Sequence, residues 1–171
     1  MNDKNKILNS SGPRKVSKFL IDNDLDIDLV VLDTTARTAK DAADAIGVDV
    51  GAIVKSLVFN FKEDSYGTDN LVMALVSGDK KCDTSGLEQL LQSCGRLIRP
   101  DADFVKRQTG YSIGGVSPLG LPENAKIFVD KSLSRFKEIW AAAGHPYCVY
   151  KSTYSDLILH SRGVESDSIS I

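Results

Sequence analysis

The 171-residue sequence predicts a mixed α/β (α+β) domain around a curved sheet. Helical and strand patterns alternate along the chain, which favours helices packed on a mixed sheet. Two apolar runs, residues 55–61 and 70–77, are separated by a polar segment that contains glycine, the pattern of a β-hairpin. The chain contains no internal repeat and no linker-like segment, so we expect one domain over residues 1–171, with its core at about 16–163.

The first elements are predicted from their caps. A helix is expected to begin near Pro13, because proline is favoured in the first helical turn. Residues 27–32 are expected to form a strand. Thr38 and Asp41 resemble a capping box at the start of an alanine-rich helix, and Gly47 is expected to end it.

The remaining elements follow from apolar spacing and from turn residues. In chain order they are a helix from Thr84 to Gly95, a strand at 96–99, a helix at 101–108, a strand at 126–130, a helix at 132–140, a strand at 147–151 and a helix at 153–160. From Ser161 onward the sequence is expected to be a polar tail.

Composition excludes several classes of protein. The net charge of −2 gives no strong overall field for nucleic acid, and no apolar run is long enough for a membrane span. Three cysteines without a Cys-x-x-Cys pair argue against a disulfide framework and structural zinc, and two histidines argue against a histidine-rich metal site. No signal peptide is visible. We therefore expect a cytoplasmic protein without metal or cofactor.

One part of the chain is locally basic. Residues 96–137 carry eight Lys or Arg against four Asp or Glu, a local net charge of +4 on an acidic chain. This distribution fits a small nucleic-acid contact better than a long binding groove. Scattered, solvated surface charges are the alternative interpretation.

The segment 110–122 is the strongest candidate for a functional loop. It holds four of the 13 glycines and two of the five prolines. The pair Gly114-Gly115 lets backbone N–H groups approach a ligand closely, as a carbonyl or phosphate oxygen requires. A tight connection between strands would have the same composition.

Lys55 breaks the apolar pattern of its strand. Side chains alternate between the two faces of a strand, which places this lysine on an apolar face. The other residues on that face are Leu57, Phe59 and Phe61. The ammonium either extends to solvent from the start of the strand or lies at the mouth of a pocket for an anionic group.

Three other residues have both a functional and a structural interpretation. His145 is able to move a proton near neutral pH, or it caps a turn. Arg37 precedes a helix and is suited to a phosphate, or it is solvated. Cys148 lies in an apolar strand without a partner base, so packing is its better interpretation.

The sequence as a whole resembles the YbaK/prolyl-tRNA-editing family, the freestanding relatives of the editing insertion in bacterial prolyl-tRNA synthetases. Residues 53–59 (IVKSLVF) resemble the lysine strand of the family, and residues 107–120 (RQTGYSIGGVSPLG) resemble its glycine loop. Residues 37–39 (RTA) and 140–146 (WAAAGHP) resemble segments of one large subgroup.

The resemblance implies a barrel-like sheet surrounded by helices and hydrolysis of the ester in mischarged tRNA. Lys55 takes the position of the functional lysine beside the tRNA 3′ end, and Gly114 and Gly115 take the loop position that faces the aminoacyl carbonyl. Ser56 and Thr38 fall where pocket-lining residues occur. The expected partners are the tRNA 3′ end and, as a second candidate, an aminoacyl-tRNA synthetase.

The complete expected site combines the resemblance with the residues above. The catalytic candidates are Lys55, Gly114 and Gly115, and the substrate-binding candidates are Arg37, Thr38, Ser56, Ser117, Pro118, Ala142 and His145. An activated ester needs a positioned water and oxyanion stabilisation rather than a strong nucleophile, which fits a chain without a recognisable triad.

One departure from the family leaves the amino acid open. Members specialised for cysteinyl-tRNA carry a serine and an aspartate where this chain has Ala142 and Val149. The expected pocket is therefore small and mainly apolar, which favours small amino acids. Two other classes stay open: a non-catalytic module that binds tRNA or a synthetase, and a hydrolase of small-molecule esters.

Overall fold

A computed structural model describes residues 3–63 and 67–171. Within these residues the α-helices are α1 (Asp3–Leu8), α2 (Ser11–Asp22), α3 (Ala39–Ile46), α4 (Thr84–Leu90), α5 (Ala102–Thr109) and α6 (Tyr154–Ser161). The strands are β1 (Leu29–Val31), β2 (Val54–Glu63), β3 (Asp69–Ser77), β4 (Gly95–Ile98), β5 (Lys126–Asp130), β6 (Ile139–His145), β7 (Cys148–Ser152) and β8 (Val164–Ser166). Two 3₁₀ helices span Val50–Ala52 and Lys131–Arg135.

The strands form two sheets. The larger sheet has the order β4-β2-β3-β5-β8, in which β2 pairs antiparallel with both β3 and β4 while β3–β5 and β5–β8 are parallel. The smaller sheet has the order β1-β7-β6 and is antiparallel. A parallel bridge between Ile53 and Trp140 joins the two sheets. The mixed α/β class is confirmed, but no closed, barrel-like sheet is found in the described residues.

Both faces of the larger sheet carry a hydrophobic core. On one face, Val54 and Val58 of β2 pack with residues of the smaller sheet and of the segment after α5, including Tyr111 and Tyr150. On the other face, the odd-numbered residues of β2 pack against α4 and the C-terminal segment. Because successive side chains of a strand alternate, β2 contributes to both cores.

The hairpin and the caps of α3 follow the sequence prediction, whereas the predicted end of the next helix at Gly95 is wrong, because α4 ends at Leu90 and Gly95 begins β4. β2 and β3 pair from Val54 opposite Ser77 to Lys62 opposite Asp69. Part of their connection, residues 64–66, lies outside the described residues. The Thr38 hydroxyl accepts a hydrogen bond from the Asp41 N–H at the start of α3, and Gly47 ends this helix in a left-handed conformation.

The predicted helix at 132–140 is wrong. This segment is the short 3₁₀ helix followed by β6, which begins at Ile139. The spacing of the apolar residues at 133, 136, 139 and 140 is typical of one face of a helix. In the structure, however, Trp140 pairs with Lys151 and Ala142 with Val149 in the smaller sheet. Tertiary strand pairing and burial have overridden the local preference.

The C-terminal segment is not a free polar tail. Strand β8 pairs with β5, and Ile169 is fully buried in the second core. The backbones of Lys81 and Ile171 exchange two hydrogen bonds of 2.9 Å. Helix α1 was also not predicted from the sequence.

No helix in residues 3–63 or 67–171 is long and apolar enough to cross a membrane.

Burial of Ile169 predicts that the C-terminal segment stabilises the fold. Ile169→Ala should lower the free energy of unfolding by about 2–5 kcal/mol, because it removes a fully buried side chain and leaves a cavity. Ile171→Ala is the matched control, since that side chain is 72% exposed, and should change it by less than about 0.5 kcal/mol. Chemical denaturation measures both, and equal values for the two variants would contradict this account.

Candidate functional site

The segment that follows α5 is held by its own side chains. Tyr111 is buried, and its hydroxyl donates a hydrogen bond of 2.7 Å to the carbonyl of Leu119. The Ser117 hydroxyl accepts from the Leu119 N–H at 3.3 Å. The Lys15 ammonium donates to the carbonyl of Thr109 and lies 4.6 Å from the centre of the Tyr111 ring. We call residues 109–119 of this segment the glycine loop. Hydrogen bonds hold both of its ends in place.

Gly115 packs against the turn between β6 and β7. A Cβ at this position would lie 2.7 Å from both the nitrogen and the Cα of His145, which is closer than real Cβ atoms come to a backbone. The N–H of Gly115 donates to the carbonyl of Ser112 at 3.1 Å. Gly115 is thus required for close packing, and its N–H is already used within the loop.

Gly114 has the opposite properties. Its φ of +92° is in the region that favours glycine, yet an added Cβ would come no closer than 3.6 Å, to Pro146. Its N–H takes part in none of the hydrogen bonds found within residues 3–63 and 67–171. Of the two glycines, Gly114 is therefore the one that presents an available backbone donor.

A small cavity of about 40 Å³ lies on one side of Gly114. Its walls come from α3, the start of β2, and strands β6 and β7. The lining residues are Ala36, Ala42, Ile46, Ile53, Val54, Gly114, Trp140, Ala141, Ala142, His145, Cys148 and Val149. Almost all of these side chains are apolar, so the small cavity suits a small uncharged group.

A large cavity of about 420 Å³ lies on the other side of Gly114. Its lining residues are Ser56, Leu57, Val58, Phe59, Arg99, Pro100, Val105, Ile113, Gly114 and Val116. The Ser56 hydroxyl is buried and has no hydrogen-bond partner in the described residues. An unpaired hydroxyl is costly to bury, so it is available to a polar group of a ligand. Arg99 is exposed at the edge of this cavity.

His145 provides a polar atom in the wall of the small cavity. Its Nδ1 accepts a hydrogen bond of 3.2 Å from the Tyr147 N–H. This assigns the proton of the neutral ring to Nε2, which is then a donor. Burial lowers the pKa of His145 below its ordinary value of 6.5, so the ring is neutral at pH 7.

Lys55 lies apart from both cavities. It pairs with Val76, whose side chain belongs to the second core, whereas Ser56 pairs with Leu75 of the first core. The Lys55 ammonium donates to the carbonyl of Lys80, and its pKa is lowered by burial, an effect that the charge of Asp79 partly offsets. Lys55 is absent from the described residues that line either cavity.

The remaining sequence candidates differ in their distance from the cavities and in their existing hydrogen bonds. Arg37 lies beside Gly114, 3.9 Å from where a Cβ would be, and is exposed. Thr38 is occupied as the cap of α3, and Ser117 as an acceptor within the glycine loop. Pro118 lines a separate cavity that includes residues of α2 and the end of α6.

Sequence reasoning missed several residues of the site. Ile53, Val54 and Trp140 line the small cavity, and Arg99 borders the large one. Arg99 had a signal in the local positive charge of its region, and the other three lie in the segments 53–59 and 140–146 that carry the family resemblance. Within residues 3–63 and 67–171, no group of three His, Cys, Asp or Glu side chains is arranged to hold a metal ion.

Comparison with known proteins identifies a family and relatives of this chain. The family model described as "Aminoacyl-tRNA editing domain" matches residues 33–158. The Bacillus subtilis (strain 168) "Uncharacterized protein YwhH" is 33% identical over 117 residues, which are 68% of this chain and 70% of that protein. The segment 33–158 that the family model matches includes β2, the glycine loop and the residues that line both cavities.

Two further matches are with a prolyl-tRNA synthetase and with a protein related to its editing. Proline--tRNA ligase of Thermoanaerobacter sp. (strain X514) is 28% identical over 108 residues, 63% of this chain but only 18% of the ligase. A solved structure described as a proposed trans-editing enzyme for prolyl tRNA synthetase matches with a TM-score of 0.81 and 32% identity. That match covers 94% of this chain and 98% of the other.

The partly buried His145 ring predicts a depressed titration. Its pKa, followed by NMR with His145→Asn for assignment, should lie below 6.5 because burial disfavours the imidazolium. Since the folded pKa is the lower one, His145 supports stability above pH 6.5, and this contribution is lost as the pH falls below that value. A measured pKa above 6.5 would contradict the effect of burial on this ring.

Proposed function

This chain belongs to the family of aminoacyl-tRNA editing domains, and we propose that it deacylates mischarged aminoacyl-tRNA carrying a small amino acid. The observation that carries the proposal is the position of Gly114, which lines both the small cavity and the large cavity. A free backbone N–H therefore lies where a space for a small side chain meets a space for a much larger group.

An aminoacyl ester has the same two-part shape. Its amino acid is attached through one carbonyl carbon to the ribose of the terminal adenosine. With the carbonyl at Gly114, an alanyl or seryl side chain enters the small cavity and the nucleoside occupies the large cavity. The volumes of about 40 and 420 Å³ fit this order and not the reverse.

The reaction is a hydrolysis without a covalent enzyme intermediate. A water oxygen adds to the ester carbonyl carbon, the bond from that carbon to the ribose oxygen breaks, and the ribose oxygen takes a proton. The products are the free amino acid and tRNA with a free 3′ end. Because the ester is already activated, positioning the water and stabilising the oxyanion supply the required acceleration.

Two donors are available for the oxyanion. The Gly114 N–H is unpaired in the described residues, and the Nε2–H of neutral His145 lies in the wall of the same small cavity. Both are fixed before substrate binds, since Gly115 anchors the loop on the backbone of His145. Preorganised donors of this kind stabilise developing charge without further rearrangement. The unpaired Ser56 hydroxyl is suited to the ribose.

A panel of mischarged tRNAs tests the proposal. Alanyl and seryl esters should be hydrolysed, with discrimination between them of about 1–3 kcal/mol at most, and phenylalanyl and tyrosyl esters should be excluded by the small cavity. Release of labelled amino acid measures each rate. Removal of phenylalanine with alanine left attached would contradict the assignment, and binding without hydrolysis would favour a tRNA-binding module.

Ala142→Val tests the small cavity directly. The added methyl groups should fill it and lower kcat/KM for alanyl-tRNA by about tenfold or more, while valine remains compatible with a strand. Val149→Ala is the opposite control, because it enlarges the same cavity and should admit larger amino acids. If both variants kept the parent's selectivity, the amino acid would bind elsewhere.

Lys55 is a separate part of the proposal. Its ammonium has three donors, and the contact found for it is with one neutral carbonyl, that of Lys80. Residues on either side of it, Val54 and Ser56, line the two cavities. We propose that the lysine leaves the Lys80 carbonyl to contact the tRNA 3′ end, as the resemblance implies.

Lys55→Met keeps the apolar stem and removes the ammonium. Deacylation should be lost, whereas the free energy of unfolding should fall by only about 1 kcal/mol, the cost of one hydrogen bond. Steady-state kinetics and thermal unfolding measure the two effects. Parent-like activity together with a lowered Tm would show that the lysine only supports the turn at Lys80.

A further inference from the structure

The large cavity adjoins a further cavity of about 270 Å³, which we call the polar cavity. The polar cavity is lined by Asn60, Lys62, Asp69, Ile98, Arg99, Pro100, Asp101, Phe104 and Arg107. Arg99 and Pro100 line both cavities, so the two spaces adjoin. Asn60 and Lys62 extend the same face of β2 that carries Ser56 and Val58. We call this combined groove along β2 the trough.

The chemistry of the trough changes along its length. Near Gly114 its walls are mostly apolar. Three cations follow: Arg99 where the two cavities meet, and Lys62 and Arg107 at the far end. The carboxylates that line the far end, among the described residues, are Asp69 and Asp101. Asp101 is occupied, because its Oδ1 accepts the Phe104 N–H at 2.7 Å as the cap of α5.

Asp69 is a loose partner for the cations around it. Its carboxylate oxygens lie 3.6 Å from the Lys62 ammonium and 3.8 Å from the Arg107 guanidinium. Charge-assisted hydrogen bonds are shorter, at about 2.7–2.9 Å. The close partner of Asp69 is the Asn60 amide, at 2.7 Å.

The strand register brings a further positive charge to this place. Arg96 of β4 pairs directly with Lys62 of β2. Like charges directly opposite each other destabilise an antiparallel pair. Among the described residues, the far end of the trough therefore concentrates cations, two of which a single exposed carboxylate, Asp69, engages at 3.6 and 3.8 Å. Additional anions would stabilise this end.

We infer that the trough carries the single-stranded 3′ end of tRNA, with the backbone phosphates that precede the terminal adenosine on Lys62, Arg99 and Arg107. The inference rests on the proposed function, which places that adenosine in the large cavity. From Ser56 to Lys62 the strand rises about 20 Å, the length of a few nucleotides. In the free protein Asp69 is the carboxylate partner of Lys62 and Arg107, and in the complex the phosphates take its place as their anionic partner.

Binding of fluorescently labelled, uncharged tRNA tests the inference without relying on hydrolysis. Three phosphate contacts predict a slope of log affinity against log salt near −2, from about −0.7 for each contact on a single strand. Lys62→Gln combined with Arg107→Gln removes two of them, so the slope should fall to about −0.7 and the affinity by about tenfold. Lys18→Gln, which removes an exposed charge on α2, is the matched control and should bind as the parent does.

Asp69→Asn should change the affinity in the opposite direction. The amide oxygen still accepts the hydrogen bond from Asn60, while the negative charge that competes with phosphate is gone. Affinity for tRNA should rise about fivefold. A purely structural role of Asp69 would instead predict weaker binding together with a lowered Tm.

A tRNA shortened by its three 3′-terminal nucleotides locates the contact. The double variant and the parent should bind this shortened tRNA equally weakly, because the strand that enters the trough is absent. The inference is overturned if the parent does not bind tRNA, if the double variant retains the parent's slope, or if its loss is as large with the shortened tRNA. Failure of the proposed function has a different result, namely this binding pattern without deacylation.

Discussion

Gly115 lies so close to the backbone of His145 that a Cβ on it would be 2.7 Å from the His145 nitrogen. This contact joins the glycine loop to the turn between β6 and β7, and it connects elements that are distant in the sequence. Because only glycine fits there, the position of Gly114 relative to the smaller sheet is fixed by backbone packing rather than by side chains. The same contact sets the position of His145 beside the small cavity.

The arrangement separates the tasks of the two glycines. Gly115 uses its N–H within the loop and its missing Cβ for packing, whereas Gly114 keeps its N–H free between two cavities of very different size. In the proposed reaction, selection of the amino acid by size and stabilisation of the oxyanion thus meet at one residue. The apolar small cavity, the neutral His145 and the cationic end of the trough give the groove a polarity that matches an aminoacyl ester followed by phosphates.

The parts of this account that the sequence predicted are those with local causes. Thr38 and Gly47 bound a helix by their own capping chemistry, and the apolar runs of β2 and β3 form the expected hairpin. The glycine loop was recognised from composition and resemblance. Local patterns gave the wrong result at residues 132–140, where strand pairing with β7 overrode the helical spacing of apolar residues. They also failed in the C-terminal segment, where β8 and Ile169 are held by distant partners.

The site itself depended on tertiary placement that the sequence did not specify. Lys55 and Ser56 lie on opposite faces of β2, and the ammonium of Lys55 is held at the carbonyl of Lys80 rather than in either cavity. Gly114 and Gly115 look equivalent in the sequence, and the structure distinguishes them by the proximity of His145 to Gly115, by the positive φ of Gly114 and by the use of the Gly115 N–H within the loop. Arg99 becomes part of the site because β4 pairs with β2 and brings the start of α5 to the same edge.

The central claim is that Gly114 binds the ester carbonyl between a small cavity for the amino acid and a large cavity for the adenosine. The most direct measurement is a crystal structure with 3′-alanylamino-3′-deoxyadenosine, in which an amide replaces the labile ester. The account predicts the alanyl methyl group in the small cavity beside Ala142 and the carbonyl oxygen within hydrogen-bond distance of the Gly114 nitrogen. It also predicts adenine in the large cavity over Val58. An analogue bound with its carbonyl away from Gly114, or with its alanyl group outside the small cavity, would contradict it.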